Sequence, residues 1–582
     1  MSATAAPAAP AAPQQAQAEP SPTAPAFRAA ATVAPTARPA QAAEQMGEIK
    51  VDTLVIAVDP SAGETNLPWA GTVDHHQQMD LVMEVLVDID AEQNIWVPQL
   101  ATGWELSEDG TQWTFQLVEG VQFHNDWGEF TAHDVLHSAR MMAQDDSILA
   151  YANDWRTIDL EVSQAVSDHE LQLQLKNPNP DFLFYIAPSG GGVIMSKAFW
   201  DAEGLDGYQE DMIGTGPYRF TGRELGVNVT YEKLPDRHWR LNGEGSNPPE
   251  VDWPFVDLRW ISEPATRNAG LLGGEIHLTE LTRELADIAV TNHGMKVIQS
   301  NFPGNQLWGV FEGTYSLNEA PGIASDWSVQ WMYPDLPATD IRVREAANRA
   351  IDKDLLIDTL FSGRVTISPV GGFYPNLPGW DPTWLERYDE LYGYDPERAR
   401  ELLAEAGYTE DDGPDQKLMV MNIFGFPESP DLMQAIGVMM ADVGFEVTYE
   451  EWQFNTFVAE RRTKKENTLG MWVVPPSYKT VYAQLSLFNR SGSAGHFYET
   501  EELDELFFRL SNSADLDERA MIQNEMGDII FEEYAYIPLF YIFIEFVANP
   551  EIIDTWEFPG SDGANYGHFD LIRACRTADP CY

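Results

Sequence analysis

Trp472 ends an apolar run that starts at Leu469 and leads into the loop Val473-Val474-Pro475-Pro476-Ser477-Tyr478. An indole, two prolines and a tyrosine offer flat apolar contact and one hydroxyl. That suits holding an organic solute and supplies no group for breaking bonds. Trp452 and Phe426 follow two neighbouring apolar runs in the same way. Each of these rings has a plain alternative as a core side chain. The residue types of bond-making chemistry are not assembled. Gly214-Thr215-Gly216 runs into Pro217 and is no dinucleotide fingerprint, and the chain has no HExxH, GxSxG or CxxC. His75 and His76 are adjacent, so on a helix they point apart and make a poor metal pair. Asp411-Asp412 could be imagined as glycosidase carboxylates, but among 92 acidic residues such neighbours arise by chance, and a solvated surface explains them.

The elements that must position the three aromatics form the strongest α/β signal in the chain. Residues 418–424 read as an apolar strand, and Ser429-Pro430 opens a helix that ends at Gly444. Phe445, Val447 and Tyr449 alternate as a second strand, a helix spans roughly 455–464, and 469–474 is a third strand. Strand, helix, strand, helix, strand with short links predicts parallel pairing with right-handed crossovers. Ligands of such sheets collect outside the carboxyl ends of the strands, here 425–428, 452–455 and 475–478. Before this unit, Asp340, Asp352 and Asp395 each precede a helical pattern as caps.

Upstream, 51–58 reads as a strand, and 74–87 as a helix bearing Met79, Val82, Met83 and Leu86. The stretch 100–142 predicts a hairpin turning at Glu108-Asp109-Gly110, with Trp113, Phe115 and Leu117 on one face. Thr131 with Asp134 then makes a capping box for a helix striped by Val135, Ala139 and Met142. Strand pairs follow at 157–165 with 170–175, and a helix at 265–272. The apolar run 536–547 is too short to cross a bilayer and carries Glu545, so it reads as a buried strand.

Composition narrows the function classes. At 582 residues the chain needs two or three cores, and 44% hydrophobic residues can fill them. The balance of 92 acidic to 35 basic residues, a formal charge of -57, repels phosphate backbones and anionic lipid, which argues against nucleic-acid binding. Either a soluble secreted surface or adaptation to high salt accounts for it. The only cysteines are Cys575 and Cys581, a feasible short-loop disulfide in an oxidising compartment or two thiols on a frayed end. Residues 1–46, rich in Ala and Pro and nearly uncharged, read as a disordered spacer. They lack the apolar core of roughly 7–15 residues that a signal peptide needs.

The order of the motifs says more than their periodicity. Leu100-Ala101-x-x-Trp104-x-x-Ser107-x-Asp109-Gly110, Thr114-Phe115-x-Leu117, Gly120-Val121-x-Phe123-His124 and Phe130-Thr131-Ala132-x-Asp134-Val135 stand in sequence. With them come Glu84-Val85-Leu86-Val87, Gly214-Thr215-Gly216-Pro217-Tyr218, Asp340-Ile341-Arg342-Val343-Arg344-Glu345-Ala346, Ala350-Ile351-Asp352-Lys353, Tyr394-Asp395-Pro396-Glu397, Ala406-Gly407-Tyr408 and Ile537-Pro538-Leu539. This set, from about residue 50 to the end, closely resembles the oligopeptide and dipeptide receptors among ABC-transporter solute-binding proteins, bacterial family 5.

The resemblance implies an α/β, two-lobed periplasmic-binding-protein-like fold (class II, cluster C type) with an extra domain inserted in the first lobe. Lobe I would comprise 47–96, 213–302 and 535–582, the inserted domain 97–212 and lobe II 303–534. It implies no catalysis and no cofactor or metal. The partners would be a small organic solute, a peptide first and an oligosaccharide second, and ABC permease subunits. A monomer outside the cytoplasm is expected, in the periplasm or on the outer face of the membrane, touching membrane only by tethering or through the permease. The Ala/Pro segment looks like such a tether, although it carries no lipid-accepting cysteine. A secreted glycoside hydrolase and a signalling receptor are the lesser alternatives. In the peptide-binding relatives the strand end reads roughly W-x-A-D-Y-x-D-P, and its Asp holds the peptide's ammonium. Aligned on Trp472, this chain has Pro475 in that place. Glu84 matches an acidic family position near the cleft. The expected ligand residues are therefore Trp472, Tyr478, Pro475, Trp452, Phe426 and Glu84.

Overall fold

The computed structural model describes residues 48–577 and Cys581, apart from 61–62, 72, 91–94, 150, 236–237, 242–250, 317–326, 328–329, 376, 410–411, 424–425, 475–479, 494 and 559–567. Its organising feature is one eleven-stranded sheet carried by two long strands, Lys296–Phe311 and Tyr536–Ala548, which pair antiparallel. Their apolar runs bury nearly every residue from Asn305 to Phe311 and from Tyr536 to Ile542. On one side of this pair lie Met471–Val474, Asp415–Val420 and Glu446–Glu451, the last three running parallel to one another. On the other lie Leu278–Thr279, Thr53–Val58 and Phe255–Trp260, again parallel, then Asn228–Lys233 and Tyr218–Glu224 as an antiparallel edge. Val365–Ile367 adds to Tyr536–Ala548. The chain thus has the α/β, periplasmic-binding-protein type of architecture, with two half-sheets on shared strands.

The shared ladder is broken where the halves meet. Its register shifts between Gln299 and Pro303, Pro303 and Asn305, and Gln306 and Trp308. Pro303 has no N–H to give the ladder, so pairing cannot run unbroken through it. A separate four-stranded antiparallel sheet holds Ala101–Leu106, Gln112–Leu117, Glu170–Gln174 and Gln164–Ser167 in that order. Its hairpin turns with Gly110 at φ +70°, and Thr131 and Asp134 form both bonds of the capping box at Ala132–Ala143. Trp113, Phe115 and Leu117 are buried together with Leu171 and Leu173.

The parallel unit is present in the expected order, with its first strand at Asp415–Val420 rather than 418–424 and its second helix at Phe454–Arg461 rather than 455–464. Ser429–Val443 ends on Gly444 at φ +112°, and Asp340, Asp352 and Asp395 each accept a first-turn N–H from the helix they precede. Two upstream expectations fail. Residues 74–87 do not form a helix; a short 3-10 turn over Val73–Gln78 gives way to the strand Val87–Ile89. The carbonyls of Leu81, Val82 and Glu84 instead accept from the N–H groups of Tyr218, Gly216 and Ile194. A helix would need those carbonyls for itself. The close approach explains Gly214, where an added Cβ would meet the Val82 carbonyl at 1.9 Å. The expected strand 157–165 shrinks to Gln164–Ser167, with Ile158 only bridging Leu175.

Cys575 and Cys581 are joined as a disulfide. No helix among the described residues is long and apolar enough to cross a membrane. The expected spacer at 1–46 lies outside the described residues.

Candidate functional site

Two of the aromatics named from sequence, Trp472 and Trp452, come together beside the strand Met471–Val474. Trp472 is 3% exposed, and its indole N–H donates to Glu312 Oε1 at 2.7 Å. Its ring meets Phe457 edge-on at 4.9 Å and Phe497 at 5.9 Å. Trp452 also meets Phe457 edge-on, at 5.7 Å, with its N–H on Glu450. Trp472 and Trp452 therefore belong to one aromatic file, linked through Phe457. Pairing places Trp472 opposite Val310, one residue before Glu312's neighbour Phe311, so the indole packs under the helix Phe454–Arg461 within the half-domain.

That helix brings in groups the aromatic reading passed over. Arg461 at its last position is 5% exposed, with its guanidinium over the rings of Trp472 at 5.4 Å and Phe497 at 4.9 Å. Its Nε lies 3.6 Å from Glu312 Oε1. Burial pushes the Glu312 carboxyl up to about 7 in spite of Arg461 beside it and the bond from Trp472. Burial also lowers Arg461 itself, against the pull of Glu312. Next to this, Glu499 accepts from the N–H and hydroxyl of Ser316 and from His496, with Lys464 Nζ 3.6 Å away. The one hint in the sequence was Arg461-Arg462-Thr463-Lys464-Lys465, which gathers four of the 35 basic residues.

Across from this helix stands the small four-stranded unit. Arg462 donates to the carbonyl of Ile148 at 3.3 Å, Ser486 to Asp154 at 3.1 Å, and Arg519 to Asp181 at 2.6 Å. Asp154 is buried, which raises its carboxyl, while Arg490, Ser486 and Tyr185 act to lower it. Tyr151, Phe184 and Tyr185 pack edge to face beside it. Arginine, carboxylate and tyrosine are all present on this boundary, and they can position a polar solute. The described residues offer a grouped ligand set for a metal only at Asp554 with the two disulfide cysteines.

The remaining expected residues fall elsewhere. Phe426 is fully buried and stacks on Phe361 at 6.2 Å, at the junction of the two half-sheets rather than in the aromatic file. Glu84 is engaged by its own chain. Thr215 Oγ1 and Trp239 Nε1 donate to its Oε2 at 2.7 Å and 2.6 Å, and Arg240 Nε lies 2.8 Å from Oε1. Its Oε2 is taken by two donors, and its Oε1 faces Arg240 and, at 3.4 Å, His238. Pro475 and Tyr478 lie outside the described residues, as do His75's side chain and Asp411.

Residues 96–496 match the model of the bacterial extracellular solute-binding proteins, family 5. A di/tripeptide-binding protein of Pseudomonas aeruginosa is 25% identical over 468 residues, 76% of this chain and 80% of its own length. A glutathione-binding protein of Salmonella typhi is 23% identical over 492 residues, 81% of this chain and 85% of its own. Among solved structures, an ABC-transporter-associated periplasmic binding protein of Helicobacter pylori in complex with the peptide STSA superposes with a TM-score of 0.73 at 20% identity, covering 92% of this chain and 100% of that one.

Proposed function

The chain belongs to the bacterial extracellular solute-binding proteins of family 5, and on that footing we propose that it captures a peptide-like solute between two lobes and delivers it to an ABC permease. The lobes are drawn at 47–96, 213–302 and 535–582, and at 303–534, with 97–212 as the inserted domain. The observation that carries this reading is the pair Lys296–Phe311 and Tyr536–Ala548, shared by both half-sheets and broken in register where they meet. Such a pair supports hinge closure, a rigid-body movement about a few residues. The bonds from Arg462, Ser486 and Arg519 to Ile148, Asp154 and Asp181 belong to the closed state in this reading.

Peptides are favoured over oligosaccharides because the rings best suited to stack on a sugar, Trp472 and Trp452, are packed on Phe457 and Phe497. Trp472 acts in the site from behind, by supporting Arg461. Pro475 and Tyr478 remain candidate contacts on the loop that follows. The receptor performs no chemistry on its solute, works as a monomer and resides outside the cytoplasm.

Retention tests this. The protein is incubated with di- to pentapeptide and oligosaccharide pools, washed and denatured, and the released solute is identified by mass spectrometry. One peptide per chain is the expected result. Release of an oligosaccharide instead would replace the solute class, and release of nothing from any pool would overturn the peptide reading.

A further inference from the structure

The described fold is entered at Glu48, just after the Ala/Pro stretch, and that entry is held by a distant part of the chain. The Thr577 N–H donates to the Glu48 carbonyl at 3.0 Å, and the Glu48 N–H donates back to Thr577 Oγ1 at 3.2 Å. Ile49 bridges Arg576 in antiparallel fashion. From here the chain passes Asp52, whose carbonyl accepts from the Phe255 N–H, into the strand Thr53–Val58. The partner segment is tied to two further places. Asp252, just before the strand Phe255–Trp260, accepts from the Ala574 N–H at 2.8 Å and pairs with the Arg576 guanidinium. Ile553, a few residues past the strand Tyr536–Ala548, bridges Ala574, and the Cys575 N–H donates to the Ile552 carbonyl at 2.8 Å. Residues 573–577 thus form a strap that ties together the ends of three strands of the large sheet.

The strap is unevenly held. Upstream, Phe569, Ile572 and Ala574 are buried, and Arg240 donates to Asp570 at 3.1 Å. Downstream, Thr577 is exposed and its bonds go to Glu48, itself exposed. Exposed backbone bonds of this kind open locally at small cost. The disulfide from Cys575 to Cys581, six positions on, encloses Arg576 and Thr577 in one short loop and removes much of the freedom that an open segment would gain. Cys575 is buried while Cys581 is partly exposed, so a reductant reaches the bond at Cys581.

We propose that the Cys575–Cys581 disulfide is a redox-sensitive clasp. Intact, it keeps residues 573–577 docked on Glu48 and Ile49; reduced, it lets this junction open to proteolysis, which separates the Ala/Pro stretch from the body. In the opening step a thiol reductant supplies two electrons. The S–S bond breaks, two protons are taken up to give two thiols, and the reductant ends as its own disulfide. The ties at Asp570 and Ile572 keep the upstream part in place, so the opening is local. Its working requires no particular solute.

Lys50 makes the junction readable, because trypsin cuts Lys50–Val51 only when the backbone there opens. The full chain is compared as the disulfide and after reduction with a dithiol, alkylation and removal of the reagents. Cleavage at Lys50–Val51 is followed by mass spectrometry, together with deuterium exchange at the Cys575 and Thr577 amides. Loss of the disulfide should speed both about ten- to hundredfold. Exchange within Phe255–Trp260 and Tyr536–Ala548 should stay as it was. Cys575→Ser/Cys581→Ser should match the reduced protein with no reagent added, and reduction of the folded wild type decides the matter if that variant fails to fold. Equal rates with and without the disulfide would overturn the clasp, as would rapid cleavage at Lys50–Val51 while it is intact. Faster exchange in Phe255–Trp260 and Tyr536–Ala548 as well would also overturn it, since the disulfide would then stabilise the whole body rather than the junction.

Discussion

Arg283→Met should lose about 3–5 kcal/mol of stability, the range for removing one partner of a buried ion pair. Arg283 opens the helix Arg283–His293 beside the junction of the half-sheets. Its backbone N–H and its Nη1 both donate to Glu428 Oε1, at 2.9 and 3.1 Å, and its Nη2 donates to the Phe543 carbonyl. Its Nε lies 3.7 Å from Glu545 Oε1, which Arg364 approaches to 3.1 Å. Glu428 precedes Ser429–Val443 and thus sits at the positive ends of two helices at once. Methionine keeps the backbone N–H and some of the volume but abandons two buried carboxylates. Urea denaturation reads the loss, and a change below about 1 kcal/mol would show that the pair is weakly coupled. Because the groups share partners, Arg283→Met with Glu428→Gln should cost less than the sum of the two.

Glu84→Gln should cost a similar amount at neutral pH, and its cost should fade in acid. Burial alone would raise the Glu84 carboxyl, yet His238 and Arg240 beside it, with the Thr215 hydroxyl, hold it at about 2. A carboxyl depressed on folding contributes stability that is complete above its unfolded value of about 4.5 and is lost as pH falls toward its folded value. The gap between wild type and variant, about 3–5 kcal/mol at pH 7, should therefore narrow steadily below pH 4.5. A gap that stays constant from pH 7 to pH 3 would mean that Glu84 contributes through shape and neutral hydrogen bonds alone. Arg240 also reaches Asp570 at 3.1 Å, so part of its compensation survives the substitution.

These residues also show what was legible in the sequence. The unit from Asp415 to Val474 could be read because every local signal agrees: apolar strands, Gly444 in the left-handed region, and short links. The stretch 74–87 could not. Its helical spacing was outvoted by backbone bonds to Gly216 and Tyr218, more than 130 positions away. Sequence located Trp472 and Trp452 at strand ends but not which side they face, since that depends on Phe457 and Phe497 closing over them. Arg461 and Arg462 carried no functional signal beyond their place in a short basic run. Arg461 is covered by Trp472 and Phe497, and Arg462 is placed by Ile148, contacts that the helix alone does not set. Glu84 was legible as special, but its contacts with Thr215, His238, Trp239 and Arg240 come from residues more than 130 positions on and could not be read from its own surroundings.

The central claim is closure of two lobes over a captured solute, and small-angle scattering tests it most directly. The protein is freed of solute by unfolding and refolding, then measured alone and with a saturating amount of the peptide recovered from the retention experiment. Closure about the broken register of Lys296–Phe311 and Tyr536–Ala548 predicts a smaller radius of gyration with peptide bound. Superimposable profiles with the peptide demonstrably bound would contradict it.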